Sequence, residues 1–296
     1  MMIREAAFAG RFYDDRPDAC LASINACLDR GNAMPASDAT DDLDRIVGGV
    51  VPHAGWIYSG PVTAKVIQEL ARRPHPQAVV IFGAIHVLHG HIASIFPSGA
   101  WETPLGLAGV DERLSDRLLG QTGLLESSPH SHEFEHSIEV EVPFLQHLLP
   151  AALVVPIMVP VNDKAVALGR AVGRACRTYG VRAAFLCSTD LTHYGPGFSF
   201  TPQGSGPAAL QWSKDVSDRR MIDLILEMRS EDAVEESVIH RNACGGGAIG
   251  ATLAACQAYG ATSARLLAHT ASHEVSRDLS LASVRDTVGY AGIVFG

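Results

Sequence analysis

Six short, largely apolar runs, four of them with β-branched residues, do most to limit what this chain can fold into. They lie at residues 46–51, 78–82, 153–159, 183–187, 264–268 and 289–295, and none shows the polar alternation of a half-exposed strand. Such runs fit strands covered on both faces. Helical stretches separate many of them, at 61–72, 112–121, 164–179, 209–228, 230–242 and 248–259, with a first helix at 17–30. Strands alternating with helices predict an α/β layered fold. Pro156, inside the third run, predicts an edge strand or a bulge, because proline cannot donate to a ladder. Residues 31–44, with four Asp, and residues 195–206, rich in Gly, Pro and Ser, read as loops. Residues 132–142 alternate apolar and polar, yet they carry acid at every second position and run into Pro143. Helix and strand both remain open there.

Composition narrows the function. The 296 residues are 47% hydrophobic and 19% charged, with a formal net charge of −9. That is ample material for a large core and argues against disorder. An acidic chain with no basic run argues against nucleic acid and against anionic membrane surfaces. The length allows two domains or one large α/β domain. Six cysteines are scattered with no CxxC pair, which reads as reduced thiols rather than a disulfide frame. No signal-like segment is visible near the N-terminus. The longest apolar run, 151–161, is broken by Pro156 and Pro160 and is too short to span a bilayer. A soluble, cytoplasmic protein is the expectation.

Chemistry gathers just past the strands. The run 46–51 leads into Pro52-His53-Ala54-Gly55, the run 78–82 into Gly83-Ala84-Ile85-His86, and the run 183–187 into Ser188-Thr189-Asp190-Leu191-Thr192-His193-Tyr194-Gly195. Three strands thus deliver a histidine beyond their C-terminal ends, the edge where open α/β sheets bind ligands. Imidazole is the commonest metal ligand and the acid/base group of neutral pH. Cys244 precedes a glycine turn that opens a helix, where amide dipoles favour a thiolate, and it could be a metal ligand, a nucleophile or an inert thiol. Gly245-x-Gly247-x-x-Gly250 mimics a dinucleotide fingerprint, but a Glu-rich helical stretch precedes it instead of a strand. Residues 130–141 hold His130, His132, Glu133, Glu135, His136, Glu139 and Glu141. They read either as a solvated acidic face or as groups that orient metal ligands, with His136 the inward residue. No GxSxG elbow occurs, and Ser188, Asp190 and His193 within one loop make a poor triad.

Taken together these motifs resemble the Memo family, also known as AmmeMemoRadiSam system protein B. The matching segments are Arg4-Glu5-Ala6-Ala7-Phe8-Ala9-Gly10-Arg11-Phe12-Tyr13, Pro52-His53-Ala54-Gly55 with Tyr58-Ser59-Gly60, Gly83-Ala84-Ile85-His86 and Trp101-Glu102-Thr103-Pro104-Leu105-Gly106. They continue with Glu135-His136-Ser137-Ile138-Glu139, the 188–195 segment, Cys244-Gly245 and Gly289-Tyr290-Ala291-Gly292. The resemblance implies a single domain over 1–296, a three-layer α/β/α fold with a mixed or mostly parallel sheet, like the class III extradiol dioxygenases. It implies that His53 and His86 are metal ligands, with Cys244 in place of the dioxygenase carboxylate. His193 then resembles the acid/base histidine, Asp190 beside it is the second expected catalytic residue, and His136 and Tyr58 belong to the pocket. The thiolate departs from the dioxygenase pattern and softens the site, so copper or zinc joins iron among the expected metals. The resemblance implies a metal-dependent oxidoreductase of unknown substrate. The alternative is a non-catalytic module binding a metal, a small molecule or a peptide, or a partner in a radical-SAM-linked system.

Overall fold

The computed structural model describes residues 1–35, 43, 45–72, 74–87, 90–278 and 285–296, so most of the expected 31–44 loop lies outside the described residues. In chain order the strands are β1 (Ile3–Arg4), β2 (Gly48–Val51), β3 (Ala78–Gly83), β4 (Ala93–Ile95), β5 (Ala100–Thr103), β6 (Gly106–Gly109), β7 (Leu125–Ser127), β8 (Leu153–Met158), β9 (Ala183–Ser188), β10 (His193–Tyr194), β11 (Ala264–Ala271) and β12 (Thr287–Phe295). All six expected runs are strands. The principal helices are α1 (Pro17–Ala33), α2 (Trp56–Leu70), α3 (Glu112–Thr122), α4 (His136–Glu139), α5 (Val142–Leu148), α6 (Ala165–Thr178), α7 (Pro207–Trp212), α8 (Arg219–Leu226), α9 (Ser230–His240), α10 (Gly246–Tyr259) and α11 (Ser272–Asp278). A π-turn at Ser213–Asp218 joins α7 to α8, so the helix expected at 209–228 is one rod with a widened turn inside it.

Among the described residues, nine strands form one mixed sheet in the order β10-β12-β2-β9-β3-β8-β4-β7, with β11 on β12. The centre, β2-β9-β3-β8, is parallel, while β12 and β4 run antiparallel to their inner neighbours. The strand period sorts side chains between two cores. Along β3, Ala78, Val80 and Phe82 pack with α3, α6, α8, α9 and α10, whereas Val79 and Ile81 pack with α1, α2 and α5. β9 divides in the same way, Phe185 to one side and Leu186 to the other. The result is the expected three-layer α/β/α arrangement. Each fully buried Val, Leu, Ile or Phe contributes about 1.5–3 kcal/mol, and both faces of the central strands make such contributions.

Two prolines sit differently from expectation. Pro156 lies in β8, which pairs with β3 on one side and β4 on the other, so β8 is not an edge strand. Leu153 and Val159 donate their N–H groups to Gln77 and Gly83 on the β3 side, which turns the Pro156 nitrogen toward β4. There Phe96 N donates to Pro156 O at 3.1 Å, just past the end of three-residue β4. Only the reciprocal bond at a strand end is lost, and that is where a proline is tolerated. Pro61 lies inside α2, which starts five residues earlier than the proline suggests. The missing N–H frees the Ile57 carbonyl, and the Arg30 guanidinium of α1 donates to it at 3.3 Å.

The ambiguous stretch 132–142 is neither one helix nor a strand. A short 3₁₀ turn (Pro129–His132), the four-residue α4 and α5 follow one another. Among the described residues, no helix is long and apolar enough to cross a membrane.

Candidate metal centre

Parallel register explains why distant histidines meet. Ser188 of β9 stands level with Val51 of β2 and with Gly83 of β3, so these three adjacent strands end together. The loops that follow carry His53, His86 and His193 to one edge of the sheet. The start of α10, with Cys244 just before it, comes to the same edge, where Cys244 N donates to Asp190 O at 3.2 Å.

His53, His86 and His136 form a group whose ligand atoms all lie within 4.8 Å of one another. The rings of His53 and His86 are 5.0 Å apart, those of His53 and His136 5.1 Å, and those of His86 and His136 4.5 Å. The outer face of each ring is anchored. His53 Nδ1 is 2.9 Å from Ser188 Oγ, which itself donates to Ser137 O, so His53 must carry its proton on Nδ1. His86 Nδ1 is 2.9 Å from Glu135 Oε1, and His136 Nδ1 is 3.3 Å from the same oxygen. These contacts leave the Nε2 atoms as the free donors. This is how metal-binding histidines are usually oriented by neighbours. Cys244 Sγ lies 3.3 Å from His53 Nε2.

Electrostatics fit the same picture. Burial, then the neighbouring His136 and His86, hold His53 well below the usual imidazole range. His136 falls to about 4 through burial and the charge of His86. Both are therefore neutral near pH 7, the form that binds a metal. Burial opposes protonation of His86, but hydrogen bonds and charges from Cys244 and Glu135 win and raise it to about 10. The same pairing outweighs burial at Glu135 and lowers it to about 2. Without a metal ion His86 therefore carries a positive charge at pH 7, and it must give up that proton to become a ligand. The three imidazoles fit a metal ion, their rings oriented from behind, and the Cys244 thiol stands beside His53.

The loop 188–193 is the hub that ties these groups together. Asp190 Oδ1 accepts from His53 N at 2.8 Å, while Asp190 N donates to Cys244 Sγ at 3.3 Å. Gly245 N donates to Thr189 Oγ1 at 2.9 Å. Asp190 is buried, and burial pushes its carboxyl up to about 7 against the pull of the His53 amide. The partly buried His193 stands close enough to feel the charge of His86 and, with burial, drops to about 4. Its ring packs edge-on against Phe198 at 4.9 Å. Of the expected site residues, His53, His86 and His136 form the cluster, Cys244 touches His53, and Asp190 bridges the His53 backbone and Cys244. Tyr58 lines a separate cleft of about 790 Å³ beside the cluster, together with Trp56, Phe12 and Arg11.

Sequence reasoning missed how the N-terminal segment serves this site. Glu139, fully buried, accepts from Phe8 N at 2.8 Å, Ala7 N at 3.1 Å and Tyr13 Oη at 2.7 Å, and pairs with the buried Arg4 guanidinium. Arg4 also donates to the carbonyls of His132 at 3.0 Å and Glu135 at 2.8 Å. This clamp sets Phe12 against the His136 ring at 4.8 Å. The acidic stretch is thus both things at once. His130 and Glu133 form an exposed surface pair, whereas Glu135, Glu139 and Glu141 are buried. The glycine fingerprint is explained by packing: a Cβ on Gly247 would lie 2.4 Å from Pro160 O, and one on Gly250 2.4 Å from Val234.

The fold and the site define an α/β/α protein with a histidine cluster able to hold a metal ion at the C-terminal edge of its parallel strands. A family model described as Memo-like protein matches residues 4–294, and the chain belongs to the Memo family. It is 35% identical over 295 residues to the MEMO1 family protein MTH_45 of Methanothermobacter thermautotrophicus, covering 98% of this chain and 99% of that one. It is 34% identical over 300 residues to the MEMO1 family protein PF1638 of Pyrococcus furiosus, with 99% of each covered. Among solved structures it resembles an uncharacterized protein, JW3007, from Escherichia coli K12, with a TM-score of 0.56 over 85% of this chain and all of that one. At 14% identity that likeness speaks for the fold alone.

Proposed function

We propose that this chain is a metal-dependent oxidoreductase in which His53, His86 and Cys244 hold the ion and His136 stands beside them. The observation that carries the reading is the anchoring of His53 and His86 through Nδ1 by Ser188 and Glu135, which leaves their Nε2 atoms for a ligand and sets that of His53 3.3 Å from Cys244 Sγ. Iron or copper bound there would supply electron-transfer chemistry, and zinc would supply Lewis acidity. His193, neutral at pH 7 and lacking a hydrogen-bond partner among the described residues, serves as the base that takes a proton from a substrate and returns it. Asp190 is spent on the His53 backbone and on Cys244, and so acts as a positioning group. The neighbouring cleft lined by Tyr58 and Trp56 favours one second reading, a module that binds a peptide or small molecule without turnover. That module includes the role of partner in a radical-SAM-linked system. Anaerobic purification, elemental analysis and oxygen uptake with catechol probes separate the two. Turnover that disappears in His193→Ala while the metal stays supports the oxidoreductase. A tightly held ion with no turnover on any probe leaves the binding module.

A further inference from the structure

The His193 side chain makes no hydrogen bond among the described residues, so its backbone, together with the Phe198 ring, sets where its imidazole points. We propose that Asp218 and His269, a buried pair outside the cluster, form a positioning device that sets His193 against the metal site. The inference rests on the role given to His193 above. The π-turn at Ser213–Asp218 ends on Asp218, and such turns inside α-helices often mark functional positions. The Asp218 side chain is 1% exposed and both its oxygens are engaged. Oδ1 accepts from Thr192 N at 2.9 Å, one residue before His193, and Oδ2 is 3.1 Å from His269 Nε2 on β11. Thr192 Oγ1 donates to Ser217 Oγ at 3.0 Å.

The peptides on either side of the one that Asp218 holds are pinned by β12. Gly289 N donates to Thr192 O at 3.1 Å, and Leu191 N donates to Gly289 O at 2.9 Å. A Cβ at Gly289 would fall 1.9 Å from Asp218 Oδ2, so glycine is required for the carboxylate to lie on this strand. His193 then pairs with Val288 in the β10–β12 ladder. Asp218 thus reaches His193 through one peptide, and His269 fixes the carboxylate that does so.

The test is histidine-selective NMR of the zinc-loaded protein, with the His193 ring signal assigned through His193→Ala. Asp218→Asn keeps an acceptor for Thr192 but loses the charge facing His269, and His269→Ala removes the second anchor. Both are expected to displace the His193 signal and leave those of His53, His86 and His136 in place. Zinc affinity should stay within about threefold, short of the ~10–100-fold lost when a group touching a ligand is removed. His269→Gln, which retains a donor, should return the His193 signal toward wild type. An unmoved His193 signal beside a lowered melting temperature would overturn the proposal, as would equal displacement of all four histidines. If Asp218→Asn does not fold, the His269→Ala and His269→Gln pair decides alone. None of these readouts needs turnover, so failure of the oxidoreductase reading would show separately.

Discussion

Two stretches bring histidines to one cluster by opposite means. His53 and His86 arrive on loops that leave parallel strands of equal height, so their meeting follows from sheet register. His136 arrives on a four-residue helix between short irregular turns, held by Arg4, Glu135 and Glu139. The first arrangement draws its rigidity from backbone ladders and two apolar cores. The second has almost no secondary structure and draws it from buried charge. Such a segment stands or falls with single side chains.

The largest expected effect is therefore on the clamp. Arg4→Met leaves Glu139 buried without its cation, a change that typically costs about 3–5 kcal/mol. Thermal melts should show that loss, and nuclear magnetic resonance should show His136 disordered before His53. A variant as stable as wild type would dissolve the distinction between the two stretches.

Next comes Glu135, which holds the Nδ1 atoms of His86 and His136 and accepts from the backbone N–H groups of His86 and Ser137. Glu135→Gln should weaken metal affinity by ~10–100-fold, the range seen when such supporting groups are lost. Ser188→Ala, which frees one ring nitrogen of His53 inside a rigid ladder, should fall at or below the lower end of that range. Titration calorimetry on both variants checks the order, and the reverse order would place the site's weak point in the strand loops.

Donor chemistry sharpens the contrast further. With a thiolate among imidazoles, copper should bind more tightly than Fe(II), as the trend across first-row ions requires. Cys244→Asp should move preference toward Fe(II), read by competitive loading under anaerobic, reducing conditions. The same preference in both proteins would remove Cys244 from the ligand set.

The smallest effect concerns pH in the metal-free protein. His86 is raised to about 10 by Cys244 and Glu135 against burial, so its contribution is complete below its ordinary value of 6.5 and fades toward pH 10. Glu135 is lowered to about 2 against burial by His86, so its contribution is complete above 4.5 and fades as pH falls toward 2. The melting-temperature gap between wild type and Glu135→Gln should be widest between those ordinary values and narrow on both sides. A gap that widened toward pH 10 would contradict the pairing.

The same contrast explains what could be read from the sequence. Apolar runs followed by histidines gave the central sheet, its ligand edge and the residues His53, His86 and His193, because strand burial and register are written in local pattern. The glycine turn marked Cys244 with three roles open, and the resemblance selected that of ligand. The clamp was not legible, since Arg4 and Glu139 are 135 positions apart and an acid in a polar stretch usually faces water. Glu139 is buried only because a cation and two backbone amides from the N-terminal segment meet it. Pro156 misled for a related reason: a proline marks an edge unless the neighbouring strand ends beside it, and three-residue β4 does. Tyr58 follows the His53 motif closely, yet the first turn of α2 carries it into the adjacent cleft. His269, with no motif around it, gained meaning only when β11 brought it to Asp218.

Of the three strand-end histidines, His53 and His86 are expected to hold a metal ion while His193 does not. Elemental analysis of wild type, His53→Ala, His86→Ala and His193→Ala, purified anaerobically side by side, tests it most directly. The account expects one ion per chain in wild type and in His193→Ala, with most of it lost from His53→Ala and His86→Ala. Loss from His193→Ala equal to that from His53→Ala, or full occupancy in all four proteins, would contradict it.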